Sequence, residues 1–244
     1  MSNRSIQAYD PCICESGKKY KFCCMKKSNK SGSTKLDTTS QYILESFNVT
    51  AERLTKTDFD DEREELSPED EKLLRDITIE LKVYPQRIKS EVHPCFGKLK
   101  ELIKKYPNNP VFYNQLGVGY QILGKQEKLN EIIDQVYEKF PNYLFGIVGK
   151  ANSYLEKDLP DKFFEVFAGK YTLKQLYPNR ETFHIDEVKA FHFAFFQCYC
   201  FLGELDKAEN NLVVLKNILT SLGREDDREF MQMQEIFYQL SHSH

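Results

Sequence analysis

From residue 67 onward the apolar residues fall three and four positions apart, the spacing of one buried helix face. Ser67-Pro68-Glu69-Asp70 reads as a helix start, with Ser at the N-cap, Pro in the first helical position and acids in the first turn. Leu73, Leu74, Ile77, Leu81 and Tyr84 follow at helical spacing, and Pro85 ends the run. Beyond it, apolar segments of the same period alternate with turns carrying Pro, Asn and Gly, and no period-two alternation interrupts them. The pattern predicts an all-α chain from here to the C-terminal segment.

The helices repeat. Pro107 and Pro141 stand 34 residues apart, as do Tyr120 and Tyr154. Leu123-Gly124-Lys125-Gln126-Glu127-Lys128-Leu129 has a near twin in Leu202-Gly203-Glu204-Leu205-Asp206-Lys207-Ala208. A unit of about 34 residues built as helix, Gly turn, helix resembles the tetratricopeptide (TPR) family. Tyr113, Leu116, Gly117 and Tyr120 resemble that family's first-helix pattern, with Tyr in place of the usual Trp, and Leu129, Ile133 and Val136 would belong to the second helix. The resemblance implies a TPR-like α-solenoid, whose stacked helix pairs make a continuous core and a concave groove for an extended peptide or a helix. The best-formed unit is 110–143, and 76–109 reads as a degenerate unit before it. Another begins near 144, with Phe163, Phe164 and Phe167 on its second helix and an insertion around Lys170–Asp186. A last unit covers about 189–222, and Phe230, Met233, Ile236, Phe237 and Leu240 mark a capping helix after it. Phe191, Phe193, Phe195, Phe196 and Phe201 are read as core in preference to groove.

Ahead of the helices the composition changes. Ser28-Asn29-Lys30-Ser31-Gly32-Ser33-Thr34-Lys35 is a polar linker with no apolar anchor. Tyr42, Ile43, Leu44 and Phe47, together with Val49 to Leu54, predict a short amphipathic helix, and Asp58–Glu65 is a solvated charge run. The expected organisation is therefore a head at 1–27, a linker and acidic neck at 28–66, and a helical body at 67–244.

Charge sharpens this division. The formal net charge of −3 hides a head, residues 1–35, with eight Lys/Arg against two acids, and a neck, residues 36–91, with eight against fifteen. A basic head suits an anionic partner, or its lysines offset the charge of an anionic metal centre; both readings stand. At 41% apolar and 13% aromatic residues the chain has ample material for a core. No apolar run approaches the roughly 18 residues of a membrane span, and Ser5–Asp10 is too short and polar for a signal-peptide core. A cytoplasmic location is the expectation, and there clustered thiols favour metal over disulfide.

Four of the seven cysteines lie within thirteen residues, as Cys12-x-Cys14, eight residues, then Cys23-Cys24. Thiols this close either form disulfides or close around one tetrahedral ion, with each sulfur at about 2.3 Å from zinc. The reading is one structural Zn2+, whose binding would supply the folding free energy of a segment too small for its own core. Pro11 to Cys24, with Ser16-Gly17-Lys18-Lys19-Tyr20-Lys21 between the cysteine pairs, resembles the SEC-C motif, the zinc module found at the C-terminus of the translocase ATPase SecA and in many other bacterial proteins. Glu15 stands where that family usually has Gly. The resemblance implies Cys12, Cys14, Cys23 and Cys24 as ligands, and a chaperone, the ribosome or protein-export machinery as partner. Lys18, Lys19, Tyr20, Lys21, Lys26 and Lys27 form the candidate contact surface. It suits an acidic protein face, or alternatively RNA or DNA.

Little else carries chemistry. Cys95, Cys198 and Cys200 lie in apolar helical contexts and read as small buried hydrophobes. His184 and His192 have no Ser-His-Asp order, phosphate loop or HExxH motif around them. The expectation is a non-enzymatic adaptor that joins a zinc head to a protein-binding solenoid.

Overall fold

A computed structural model of the chain describes residues 47–52 and 64–242. The predicted head, the linker and most of the charge run lie outside these residues. In chain order the elements are β1 (Asn48–Thr50), α1 (Pro68–Val83), a 3-10 turn (Pro85–Arg87), α2 (Pro94–Lys105), α3 (Pro110–Ile122), α4 (Gln126–Lys139) and α5 (Leu144–Leu155). They continue with α6 (Pro160–Val166), α7 (Leu173–Leu176), β2 (Thr182–His184), α8 (Ile185–Phe201), α9 (Leu205–Ser221) and α10 (Arg228–His242). The described residues are mostly helical, as the periodicity predicts.

Local chemistry sets the helix ends. α1, α2, α3 and α6 each begin on a proline, which gives up an amide hydrogen the first turn would leave unpaired. Ser67 Oγ accepts from the Asp70 N–H at 3.2 Å, and Asn109 Oδ1 accepts from the Val111 N–H at 3.1 Å. Four helices close on one left-handed residue each: Gly124, Asp158, Gly203 and Gly223, at φ of 63°, 57°, 68° and 63°. In all four the next residue donates its N–H to the carbonyl five positions back: Lys125 to Tyr120, Leu159 to Tyr154, Glu204 to Tyr199 and Arg224 to Leu219, at 2.8–2.9 Å.

These turns fold the chain into consecutive helix pairs. α3 packs on α4, α5 on α6 and α8 on α9, while α2 bridges α1 to α3, α4 bridges α3 to α5, and α5 packs on α8. One core cluster joins α1, α2 and α3 through Ile77, Leu81, Phe96, Leu99, Phe112 and Leu116. A larger one is built on aromatic rings, with Phe163, Phe167, Phe191, Phe195 and Phe196 all at most 2% exposed. Of the aromatic set read as core, Phe191, Phe195 and Phe196 are buried, Phe193 is half-buried against the same cluster, and Phe201 is 47% exposed at the end of α8. Close helix contact is made where glycine permits it: a Cβ on Gly119 would lie 2.9 Å from Phe96 Cζ. Leu129 on α4 likewise faces Gly117 on α3, where a Cβ would lie 3.6 Å from Leu129 Cδ1.

Two expectations are corrected. The stretch from Val49 is not the start of a helix: Asn48–Thr50 is a strand, paired in parallel with Thr182–His184 in the register Asn48↔Thr182, Val49↔Phe183, Thr50↔His184. β-branched Val49 and Thr50 suit an extended backbone, and a partner strand supplied by a distant part of the chain decides the outcome. The unit placed at 76–109 comprises helices at 68–83 and 94–105, because the 3-10 turn and the stretch to His93 lengthen its connection beyond that of the later hairpins. The expected insertion after α6 consists of α7, capped by Thr172 and Gln175 acting on each other's backbone, followed by β2.

Candidate functional site

Cys12, Cys14, Cys23 and Cys24, with Lys18, Lys19, Tyr20, Lys21, Lys26 and Lys27, all lie outside the described residues. Among the described residues no group of three or more His, Cys, Asp or Glu is placed to hold a metal ion. The remaining thiols suit neither ligation nor nucleophilic attack. Cys95 and Cys198 are buried and Cys200 is half-buried. Burial pushes the Cys95 thiol up and the Cys200 thiol up to about 11, so the reactive thiolate is scarce at neutral pH.

The histidines have structural positions. His184 caps α8: its Nδ1 accepts from the Asp186 N–H at 3.1 Å, while Glu187 Oε2 accepts the His184 N–H at 3.1 Å. His192 is buried, and desolvation holds its pKa down to about 4, so it is neutral at pH 7. Its Nδ1 lies 2.9 Å from Asn211 Oδ1, which makes it a cross-link between α8 and α9.

Most charged groups with strong partners are likewise occupied in joining helices. Asp70 accepts from Lys105 at 2.6 Å, Tyr106 Oη at 2.7 Å and Ser67 Oγ at 2.7 Å, and these donors hold its pKa at about 2. Glu91 is gripped by Lys125 and Lys128, both at 2.7 Å, with the same effect. Lys189 reaches Asp227 at 2.8 Å and Glu229 at 2.5 Å, tying α8 to the start of α10. Among the described residues Arg180 and Glu187 form the most deeply buried ion pair, with side chains 5% and 7% exposed and two contacts at 3.0 and 2.8 Å.

Among the described residues there is also a concave feature that the periodicity does not indicate. A groove of about 650 Å³ runs between α9 and α10, lined by Leu212, Val213, Lys216, Met231, Glu235 and Tyr238 among others. Phe230 at its base is 3% exposed, whereas Met231 and Tyr238 on its rim are 48% and 59% exposed. The His242 ring stacks on Tyr238 at 4.2 Å between centroids. An apolar floor with a mixed rim suits an apolar group. Its lining comes from residues left over on two amphipathic helices, a signal visible only once the helices are paired.

Among the described residues no helix is long and apolar enough to cross a membrane. No curated protein matches the chain, and no solved structure does. Residues 10–26 match the SEC-C motif, a span that contains all four clustered cysteines and five of the six residues of the candidate contact surface.

Proposed function

We propose that this chain is a cytoplasmic, non-enzymatic adaptor with a SEC-C-like head that holds one zinc ion and a TPR-like α-solenoid body that binds protein. The observation that carries the reading is the SEC-C match at residues 10–26, which encloses Cys12, Cys14, Cys23 and Cys24. Four thiolates at these spacings fit a closed tetrahedral site, whose chemistry is structural: with no open position, the ion fixes the fold of the head. Support for the body comes from its helix pairs and from the left-handed turns at Gly124 and Asp158, 34 residues apart. Two weak sites on one chain raise apparent affinity through effective concentration. A chaperone, the ribosome or protein-export machinery is the partner class that other hosts of the head suggest, and that step is an analogy.

The lysines between and after the thiols favour a second reading in which the head contacts RNA or DNA. Salt separates the two readings, because each phosphate contact released by salt steepens the fall in affinity.

The test compares the intact chain with a Cys23→Ser/Cys24→Ser variant. The intact protein is expected to carry one zinc per chain by metal analysis and the variant none. Pull-down from a bacterial lysate, with and without nuclease, then assigns the partner. Ribosomal or chaperone proteins lost with the variant support the adaptor; partners lost to nuclease in both proteins support the nucleic-acid reading. An intact chain without metal overturns the head.

A further inference from the structure

Among the described residues of the acidic neck, Phe47–Thr50 is seated against β2. Phe47 is 8% exposed, and its ring meets Phe183 edge-on at 4.9 Å between centroids. The Asn48 N–H donates to the Glu181 carbonyl at 2.7 Å, and β1 continues from there along β2. Part of the stretch that the periodicity reads as a short amphipathic helix thus has a buried aromatic anchor and a strand partner.

The acceptor side is built without help from the neck. Arg180 pairs with Glu187 and donates to the Thr182 carbonyl at 3.2 Å. Its guanidinium lies over the Phe183 ring at 4.2 Å, and Tyr177 packs at 5.9 Å from the same ring. Glu187 also holds the His184 N–H, so β2 is fixed to the first turn of α8. On the donor side the described contacts are those of one ring and a three-residue strand. A preformed edge with an aromatic floor and a short extended occupant is the arrangement of strand addition, in which main-chain bonds hold a peptide and one side chain sets its register.

We propose that the β2 edge with Phe183 is an acceptor site for an extended segment led by an aromatic residue, and that Phe47–Thr50 of the same chain is its occupant, clipping the neck to the body. Resting on the adaptor reading above, the clip assigns this strand a role: it sets how far the SEC-C-like head reaches. The contour length of the chain, an upper bound on reach, is about 135 Å from residue 26 to residue 64 and about 75 Å from residue 26 to residue 47. The clip also fixes the departure point beside the α1–α8 contact, where Lys82 Nζ lies 3.6 Å from Asp186 Oδ2. Release of the strand raises that upper bound on the head's reach from about 75 Å to about 135 Å, and a longer reach dilutes the head around a partner held by the body.

The experiment uses the full zinc-loaded chain, as wild type, Phe47→Ala and Phe47→Leu. Amide hydrogen exchange is read over 47–50 and 182–184, and the maximum dimension by small-angle scattering. The wild-type amides of β1 are expected to be protected. Phe47→Ala should accelerate their exchange at least tenfold and lengthen the particle, with helicity and melting of the body little changed, and Phe47→Leu should restore most of the protection. Free exchange of residues 48–50 in the wild type overturns the clip, as does full protection in Phe47→Ala. Protection that appears only with dimer on light scattering overturns it in favour of a strand supplied by a second copy. None of these readouts requires a partner, so a failed pull-down with an intact clip counts against the adaptor reading alone.

Discussion

Gly124 and Asp158 stand 34 residues apart and occupy the same place in successive hairpins, each left-handed at φ 63° and 57° and each followed by a residue bonded to the carbonyl five positions back. The backbone demand is equal at both, yet only one residue lacks the Cβ that makes this conformation costly.

Asp158→Gly is therefore expected to stabilise the protein by about 0.5–1 kcal/mol, the relief of strain being partly offset by greater freedom of the unfolded chain. Gly124→Ala, which adds a Cβ at the same φ, should destabilise by a similar amount. Urea unfolding of both variants checks the pair. A destabilised Asp158→Gly would mean that the aspartate side chain supports the turn.

The Arg180–Glu187 pair gives the largest expected effect. Glu187→Gln leaves a guanidinium buried without its counter-charge, at a cost of about 3–5 kcal/mol. Replacing both residues together with Met and Leu should cost much less, because no charge is then stranded. Chemical denaturation of Arg180→Met, Glu187→Leu and the double variant measures this as a coupling.

Acid should weaken the body over a definable range. Asp70 and Glu91 are held at about 2 in the folded protein, below their ordinary values of 3.8 and 4.5. A depressed carboxylate pKa contributes stability that is present above the ordinary value and is lost as pH falls through the folded one. Thermal unfolding is thus expected to be flat with respect to these groups above about pH 5 and to fall between there and pH 2. Asp70→Asn should shallow this acid limb, and an unchanged slope would exclude Asp70 as a contributor.

Much of the body was legible in the sequence because its signals are local and repeated. Proline at the first helical position marked the start of α1, and the two Leu-Gly-containing heptads marked the turns at Gly124 and Gly203. The matching turn at Asp158 carried no glycine to announce it. β1 and β2 were missed because three residues each are too few to display alternation, and what makes them strands is a partner far along the chain. Arg180 and Glu187 look like solvated charges until the aromatic rings around them are in place. The candidate head presents the reverse case: four cysteines within thirteen residues are legible from spacing alone. The α9–α10 groove needed paired helices before its lining came together.

The register of the small sheet also has a consequence for synthesis. Each hairpin from α3 onward joins residues close in sequence and can form as soon as its second helix leaves the ribosome. Asn48 pairs with Thr182, and the two are 134 positions apart. The neck strand is made early and has nowhere to sit until most of the chain has been translated. During that interval β1 has no partner strand, so its attachment through Phe47 and Asn48 is among the last long-range contacts to close and reports that the body behind it has been made.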